Sequence, residues 1–353
     1  MDKSNSESIS SYSEIIINDF NEENQKKFPH DIAFPKDLSK HSNNYFNATF
    51  HCLTNIYDLT SQILDSKNKN GSENPYISLL NKIVIGFKDN KKEEKERLKN
   101  LLENLKQYFI PDIRNEKAGN DDPRKLIPLF LQDLKNNDIL PEFMLIKNEK
   151  ICSICKTVTQ LDEFLDVIDL NNMYIKFDIP KILEYTHEKK IEVFSIDDCF
   201  QSYFESLKKI KKSLECSQCH EETSQTIRIH KLPDILFIFI YYDENDKNRY
   251  FENSAYKFEE KINFKKYDFL SEDDREKEYF LYSLIACKNV GTDFELYYTF
   301  SRKDENSKYY IYNGNDIRKD LNIKNKMEKK KIDLRNKKQS WPCVLVYKSI
   351  PQK

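Results

Sequence analysis

Four of the eight cysteines lie in two C-x-x-C pairs, a spacing that is typical of a metal site. Cys152 and Cys155 form the first pair, and Cys216 and Cys219 form the second. Two such pairs supply four thiolates that can surround one Zn²⁺ tetrahedrally, each about 2.3 Å from the ion. Four thiolates leave no coordination position for water, so we predict a structural zinc site. Reduced pairs without metal are the alternative, and His220 is a less favoured substitute ligand.

The remaining cysteines, by contrast, occur singly among apolar residues and are expected to be buried small hydrophobes. They are Cys52, Cys199, Cys287 and Cys343. The N-terminus has no basic segment followed by an apolar core, and no stretch approaches the roughly 20 apolar residues of a membrane span. We therefore expect an intracellular protein, without membrane contact, whose cysteines are reduced and more suited to metal than to disulfides.

The charge balance gives no reason to expect a nucleic-acid partner. Lys plus Arg (57) nearly equals Asp plus Glu (59), and the net charge of −2 creates no field that would draw the whole chain to a polyanion. The basic run at 325–339 lacks interleaved aromatic residues, so it is a poor base-stacking platform. We interpret it as a solvated connection, with RNA contact as the weaker alternative.

Helical patterns dominate the first part of the chain. Residues 1–31 are rich in Ser, Asn, Glu and Lys and are predicted to be a disordered N-terminal arm. From Phe46 onward, apolar residues recur at three- to four-residue steps and predict a helix of about 20 residues with Asn44 at its N-terminal end. Residues 94–109 predict a second amphipathic helix.

A third helix is predicted within 119–134, with Asp122 as its cap and Pro123 as its first residue. Pro128 should kink or split it. Beyond residue 150, short β-branched and aromatic segments predict strands, interrupted by a helix at 195–210. These strand segments are 164–170, 173–179, 234–242, 279–287, 294–300, 308–314 and 342–348. Helices followed by an antiparallel sheet indicate an α+β architecture.

The order of these segments resembles the ubiquitin-specific protease family of deubiquitinases. NNYFNATFHCL (43–53) looks like the family's N-T-C-Y-M-N-S-x-L-Q-x-L box, and NDDPRKLIPLFLQDL (120–134) is similar to its Q-Q-D-A-x-E-F-L box. SIDDCFQSYF, KLPDILFIFI, YFLYSLIACKNVG, FELYYTFSR and KYYIYNGNDI resemble later family blocks in the family's order.

The resemblance covers residues from about 32 to 350 and implies a papain-like cysteine protease fold with thumb helices, an antiparallel palm sheet and zinc-ribbon fingers. On this resemblance the thumb spans about 32–145, the inserted fingers about 146–230 and the palm about 231–350. The two C-x-x-C pairs match the zinc ribbon at the fingertips.

Aligned in this way, the family's catalytic positions have changed type. Its nucleophilic Cys falls on Asn44, its general-base His falls on Leu296, and its oxyanion-donating Asn falls near Ser39; only the third triad position looks retained, at Asn313. A cysteine protease needs a thiolate and a base, and losing either costs on the order of a million-fold in rate. The resemblance therefore implies a catalytically degenerate member with no intact triad.

Neighbouring residues are unsuited to replace the missing groups. Cys52 lies about 12 Å along the helix from Asn44. His51 stands where the family box has Gln, and we interpret it as a locally satisfied helix residue rather than a relocated base. Without a histidine to orient, Asn313 is interpreted as a turn residue.

Three functions remain open at this stage. The pattern of lost residues is nearest to the inactive, splicing-associated member of the family found in the spliceosomal tri-snRNP, which implies a nuclear interaction scaffold with protein partners. The alternatives are a receptor that binds ubiquitin without cutting it, and an active thiol-dependent deubiquitinase.

Overall fold

The computed structural model describes part of the 353-residue chain. The described residues are 44–56, 58–60, 63, 100, 122–136, 140, 147–161, 173–179, 182, 193–209, 213–216, 218–241, 255–257, 259–267, 270, 272–288, 296–302, 306, 309–313, 316–320, 332–333 and 340–350. The predicted arm at 1–31, the strand at 164–170 and nearly all of the helix at 94–109 lie outside them.

Two helices come first in the described chain, and most of the elements after them are strands. The helices are α1 (Asn44–Thr54), α2 (Pro123–Asn136), α3 (Ile196–Lys209) and α4 (Glu272–Arg275). The strands are β1 (Lys147–Cys152), β2 (Val158–Leu161), β3 (Tyr174–Asp178), β4 (Val193–Ser195), β5 (Ser213–Glu215), β6 (Glu222–Lys231), β7 (Ile235–Tyr241), β8 (Ala255–Lys257), β9 (Lys261–Asn263), β10 (Glu278–Lys288), β11 (Leu296–Ser301), β12 (Tyr309–Asn313), β13 (Asp316–Asp320), β14 (Ile332–Asp333) and β15 (Ser340–Ser349).

The largest sheet has the strand order β13-β12-β11-β10-β15-β7-β3, with β9 also paired to β10. Its pairs are antiparallel except that between β3 and β7, which is parallel. The predicted antiparallel sheet is therefore a mixed one. The parallel pair arises because α3 and the strands around it separate β3 from β7, and a long crossover lets the chain return in the same direction.

Both faces of this sheet are covered, and β7 shows how. Phe237 and Phe239 belong to a core cluster shared with α1 and α2, whereas Leu236, Ile238 and Ile240 belong to a second cluster on the opposite face, shared with α3. Successive side chains of a strand point to opposite faces. An uninterrupted apolar run is therefore what a strand covered on both sides requires.

Helix α1 is shorter than predicted. It ends at Thr54, not after about 20 residues, and residues 58–60 are helical again. Asn55 interrupts the helix: its side-chain amide donates to the carbonyl of His51 at 2.5 Å, and its own carbonyl accepts a hydrogen bond from the Tyr282 hydroxyl. The Tyr282 hydroxyl thus supplies a partner for a backbone carbonyl at the C-terminal end of α1.

Helix α2 begins at Pro123, as predicted, and Asp122 caps it by accepting the backbone amide of Arg124 at 2.8 Å. Of the two outcomes predicted for Pro128, a kink or a split, the split does not occur, because α2 continues to Asn136. Proline has no amide hydrogen for the carbonyl four residues earlier. That carbonyl belongs to Arg124, and it accepts the hydroxyl of Tyr241 instead, at 3.3 Å.

A smaller sheet has the order β2-β1-β6-β5 and spans 147–231, close to the range of about 146–230 predicted as an inserted unit. The same range also contributes β3 to the large sheet. Strand β14, within the predicted connection at 325–339, pairs with β8. Among the described residues, no helix is both long enough and apolar enough to cross a membrane.

Candidate functional site

The four paired cysteines lie at one end of the smaller sheet. Strand β1 ends at Cys152 and continues into the turn that holds Cys155, while Cys216 directly follows β5 and precedes Cys219. Strands β1 and β6 pair in antiparallel register, with Cys152 opposite Gln225. This pairing places the turns of the two hairpins side by side, although they are far apart in sequence.

The first turn is a knuckle fixed by backbone hydrogen bonds. The amide of Cys152 donates to the carbonyl of Thr157 at 3.0 Å, and the amide of Lys156 donates to the carbonyl of Cys152 at 3.2 Å. Lys156 adopts the left-handed region, with φ of 61°. A non-glycine residue seldom adopts this conformation, so the surrounding contacts must hold it there.

The second turn repeats this arrangement. The amide of Cys216 donates to the carbonyl of Glu221 at 3.1 Å, and the amide of His220 donates to the carbonyl of Cys216 at 2.8 Å. His220 has a φ of 56°, the counterpart of Lys156. In addition, the backbone amide of Gln218 points at the Cys216 sulfur at 3.4 Å. Amide donors of this kind stabilise thiolates.

The two knuckles bring the four sulfur atoms together. The Sγ atoms of Cys152 and Cys219 are 3.8 Å apart, those of Cys155 and Cys216 are 3.6 Å apart, and all four lie within 4.8 Å of one another. A tetrahedral ion about 2.3 Å from each sulfur requires edges of about 3.8 Å. The predicted convergence of the two pairs is confirmed, and the arrangement fits a tetrahedral metal ion.

His220 is not part of the metal-ligand group found among the described residues, which consists of the four cysteines. A structural ion would be held by the thiolates of Cys152, Cys155, Cys216 and Cys219 and would supply the positive charge that stabilises them. With four protein ligands, it would tie the two hairpins together and offer no position for a reacting water.

The pKa values of two thiols in the cluster are shifted in opposite directions. The pKa of Cys155 is lowered, chiefly by its hydrogen bonds with Thr157. For Cys219, a hydrogen bond involving the Glu221 backbone lowers the pKa, but burial and the neighbouring sulfurs raise it to about 12. Several negative charges so close together are unfavourable without a cation. Metal binding must therefore displace protons.

The positions aligned with the catalytic residues lie at the ends of elements that meet around α1. Asn44 is the first residue of α1, Leu296 is the first of β11, and Asn313 is the last of β12. Helix α1 packs on β11, where the Thr299 hydroxyl donates to the carbonyl of Ala48 at 2.7 Å. The fourth position, Ser39, lies outside the described residues.

Asn313 also closes a hairpin. It pairs with Asp316 of β13, so only two residues connect the two strands. The preceding residue, Tyr312, pairs with Thr299 of β11. The end of β12 thus lies beside the strand that begins with Leu296.

His51 and Cys52 are both buried within α1, with exposed fractions of 3% and 0%. Burial lowers the pKa of His51 to about 3, so its imidazole is neutral at physiological pH. Burial raises the pKa of the Cys52 thiol to about 12, partly offset by a hydrogen bond with Ser283. A histidine and a thiol in these states cannot exchange a proton near pH 7.

The other single cysteines are buried, as predicted. Cys199, Cys287 and Cys343 have exposed fractions of 0%, 4% and 2%. Burial raises the pKa of Cys199 well above its ordinary value, and the Cys343 thiol donates to the carbonyl of Ile285 at 3.2 Å. Each of the eight cysteines thus lies either in the four-sulfur cluster or in the core.

One feature beside α2 could not be seen in the sequence. The Arg124 guanidinium donates to the carbonyl of Ile240 at 2.8 Å, forms an ion pair with Asp122, and lies 5.1 Å from the centre of the Tyr241 ring. The ammonium of Lys176 lies 4.9 Å from the same ring. These contacts join the start of α2 to the end of β7, a contact between segments more than a hundred residues apart.

Most of the chain matches a known protein family. A family model described as "Ubiquitin carboxyl-terminal hydrolase" matches residues 38–347. Sequence comparison with curated proteins gives no match.

Similar solved structures include the SAGA DUB module of Ubp8, Sgf11, Sus1 and Sgf73 bound to monoubiquitin, with 14% identity, a TM-score of 0.60, and coverage of 98% of this chain and 75% of that chain. The same four-protein module bound to ubiquitin aldehyde has 15% identity, a TM-score of 0.56, and coverage of 92% and 70%. A yeast SAGA DUB module with a mutant Sgf73 has 14% identity, a TM-score of 0.54, and coverage of 96% and 75%. At this identity the likeness shows the fold.

Proposed function

We propose that this chain, which belongs to the ubiquitin carboxyl-terminal hydrolase family, is catalytically inactive and serves as an interaction scaffold in a protein assembly. The observation that carries this proposal is the placement of the eight cysteines, none of which supplies a thiolate at the head of α1. The residue there is Asn44.

A thiol protease works because a thiolate attacks the carbonyl carbon and a nearby base manages the proton. The amide of asparagine is not a nucleophile, and leucine at position 296 has no group that accepts a proton. When such residues act as a unit, loss of one already removes a factor on the order of a million in rate. Two changes of type at once argue for loss of hydrolysis rather than a weakened form of it.

The remaining cysteines support the same conclusion. Cys52 is the nearest in sequence to Asn44, but its thiol is buried and its pKa of about 12 keeps it protonated. Reactive cysteines have lowered pKa values and are at least partly exposed. The two cysteines that are not buried, Cys155 and Cys219, lie in the four-sulfur cluster at the hairpin turns of the smaller sheet, not at the head of α1.

The test is a ubiquitin probe that carries a thiol-reactive group at its C-terminus. We expect no covalent adduct with the full chain, while an active ubiquitin-specific protease treated in parallel is labelled completely. An adduct on any cysteine, located by peptide mapping, would overturn the proposal. Release of a fluorophore from the ubiquitin C-terminus would instead revive the third function, an active thiol-dependent deubiquitinase.

For the assembly, we propose the spliceosomal tri-snRNP in the nucleus, because the loss of both nucleophile and base resembles the inactive splicing-associated member. The structurally similar Ubp8 chains belong to a different assembly, the SAGA DUB module, which also contains Sgf11, Sus1 and Sgf73. Purification of the tagged chain from its own cells distinguishes the two: tri-snRNP proteins would support the splicing role, and SAGA-type subunits would contradict it.

A receptor that holds ubiquitin without cutting it is the second candidate. It is favoured by the structurally similar modules bound to monoubiquitin and to ubiquitin aldehyde. Calorimetric titration of the full chain with ubiquitin tests it directly. Binding heat that saturates at tens of micromolar ubiquitin would favour the receptor. Absence of binding heat would favour a scaffold that does not bind ubiquitin.

We also propose that the family's division into thumb, fingers and palm applies to this chain, with boundaries near residues 145 and 230.

We further propose that the four-cysteine cluster holds structural zinc. The tetrahedral spacing of the sulfurs supports this proposal. Elemental analysis of protein purified without added metal should give about one zinc per chain, as one tetrahedral site requires. Substitution of Cys216 by Ser should lower that ratio, whereas Cys199→Ser should leave it unchanged.

A further inference from the structure

We propose that the four-cysteine cluster is also a site of reversible thiol oxidation, in which Cys155 reacts with a hydroperoxide and Cys216 resolves the product as a disulfide. The observation behind it is the unequal exposure of the four cysteine residues. Cys155 is exposed, Cys219 is half-buried, and Cys152 and Cys216 are buried. Oxidation of cysteine follows exposure and thiolate character, so a small oxidant in solution meets Cys155 first.

The geometry favours a partner in the other knuckle. The Sγ of Cys216 lies 3.6 Å from that of Cys155, and the Sγ of Cys152 lies 3.8 Å from that of Cys219. Both of these pairs join one knuckle to the other. A disulfide is about 2.05 Å long, so closing the Cys155–Cys216 gap needs a movement of about 1.5 Å. Cys155 lies in a turn outside the strands, where that movement leaves the β1–β6 pairing intact.

The chemistry has two steps. The Cys155 sulfur attacks one oxygen of hydrogen peroxide and the O–O bond breaks. The departing hydroxide takes up the Cys155 proton, or one from solvent where the sulfur is a metal-bound thiolate, and leaves as water. The Cys216 sulfur then attacks the sulfur of the Cys155 sulfenic acid, an S–S bond forms, and the hydroxyl leaves as a second water with the Cys216 proton or one from solvent. Two thiols are oxidised by two electrons in total, and one hydroperoxide is reduced; a thiol reductant reverses the change.

Oxidation would change what the cluster can bind. The Cys155–Cys216 disulfide removes one sulfur from each knuckle, and Cys152 with Cys219 cannot complete a four-sulfur site. Any ion held there would be released, while the new bond would keep the two hairpins joined. The cluster would thus exchange a metal cross-link for a covalent one between the same two turns.

The experiment uses the full chain, first loaded with zinc and then freed of reductant. Hydrogen peroxide is added in increasing ratio, remaining thiols are blocked, and peptides are mapped without reduction while a chromogenic chelator measures released zinc. We expect the Cys155–Cys216 linked peptide to appear first, with one zinc released per disulfide. Disulfides within a knuckle, Cys152–Cys155 or Cys216–Cys219, or oxidation that begins at a buried core cysteine, would overturn the proposal.

Two matched variants separate the resolving cysteine from a merely structural one. Cys216→Ser and Cys152→Ser each remove one buried ligand from the cluster, so both should weaken metal binding similarly. Only Cys216→Ser should leave the Cys155 sulfenic acid unresolved, and we expect about tenfold more trapping by dimedone in it than in Cys152→Ser. Equal trapping in the two variants would contradict the assignment of Cys216, whatever their metal content.

Discussion

Replacing His51 by glutamine should remove an acid-sensitive contribution to the stability of the protein. His51 lies inside α1 with an exposed fraction of 3%, and burial lowers its pKa to about 3 from an ordinary value of 6.5. The folded protein therefore keeps this imidazole neutral, while the unfolded chain protonates it below about pH 6.5. Glutamine is the residue that the resembling family box carries at this position.

The sign of the effect follows from proton binding. Between pH 6.5 and about pH 3 the unfolded chain binds more protons at this residue than the folded one, so the free energy of unfolding falls as the pH falls. Since one pKa unit corresponds to about 1.4 kcal/mol, the loss from this residue should reach about 1 kcal/mol at pH 6 and about 2 kcal/mol at pH 5, relative to pH 7.5.

Urea unfolding of the wild type and of His51→Gln at several pH values measures this contribution, with the fluorescence of the single tryptophan as the probe. Other groups also titrate, but they do so in both proteins, so the difference between the two curves isolates residue 51. His220→Gln, the same substitution at an exposed residue, is the comparison variant.

Parallel loss of stability in the wild type and in His51→Gln between pH 7.5 and pH 5 would refute this reasoning. It would mean that His51 titrates in the folded protein near its ordinary pKa. A histidine that titrates near neutral pH could act as a general base, so the same result would reopen the case for a rebuilt active site. A difference in the free energy of unfolding between the wild type and His51→Gln that grows as the pH falls would argue against His51 as a general base.

Three further predictions concern the two candidate sites and the contact between α2 and β7. Zinc affinity, measured against a competing chelator, should fall at least about 100-fold from pH 7.5 to 6.5, because raised thiol pKa values such as that of Cys219 make protons compete with the ion; a smaller change would mean that fewer thiols release protons. Arg124→Leu should lower the free energy of unfolding by about 2–4 kcal/mol in urea titration, because it leaves the Asp122 carboxylate and the Ile240 carbonyl without the guanidinium; a loss below 1 kcal/mol would contradict that account. Asn44→Cys combined with Leu296→His should react with the thiol-reactive ubiquitin probe at least about tenfold faster than Asn44→Cys alone, since a base raises the thiolate fraction; equal rates would contradict the assignment of position 296.

The metal cluster was predictable because its signal is local. A C-x-x-C pair forms its knuckle within a few residues, so two pairs in one sequence indicate one shared site. The backbone conformation of the knuckles was not predictable, because Lys156 and His220 adopt left-handed conformations without being glycine. Their conformations depend on the hydrogen bonds of the finished knuckle, and their side-chain types give no warning.

The length of α1 was mispredicted for a reason of the opposite kind. Apolar residues continue at helical spacing beyond Thr54, so the pattern predicts one long helix. The end of the helix coincides with a contact to Tyr282, whose hydroxyl donates to the carbonyl of Asn55 from 227 residues away. Helix α2 likewise continues through Pro128, where the Arg124 carbonyl accepts the hydroxyl of Tyr241 from a distant strand. Neither partner can be identified from local sequence.

Hydrogen bonds and packing between α1 and the sheet explain how such a fold can be retained when catalytic residues are replaced. Helix α1 is held to the sheet by the hydrogen bonds from Thr299 to Ala48 and from Tyr282 to Asn55, and by a buried face that includes Phe50. None of these residues occupies a position aligned with the nucleophile or the base. Asn44 and Leu296 are the first residues of their elements. Selection for binding alone could therefore preserve the scaffold while both catalytic positions drifted, which is the outcome that the cysteine placement favours.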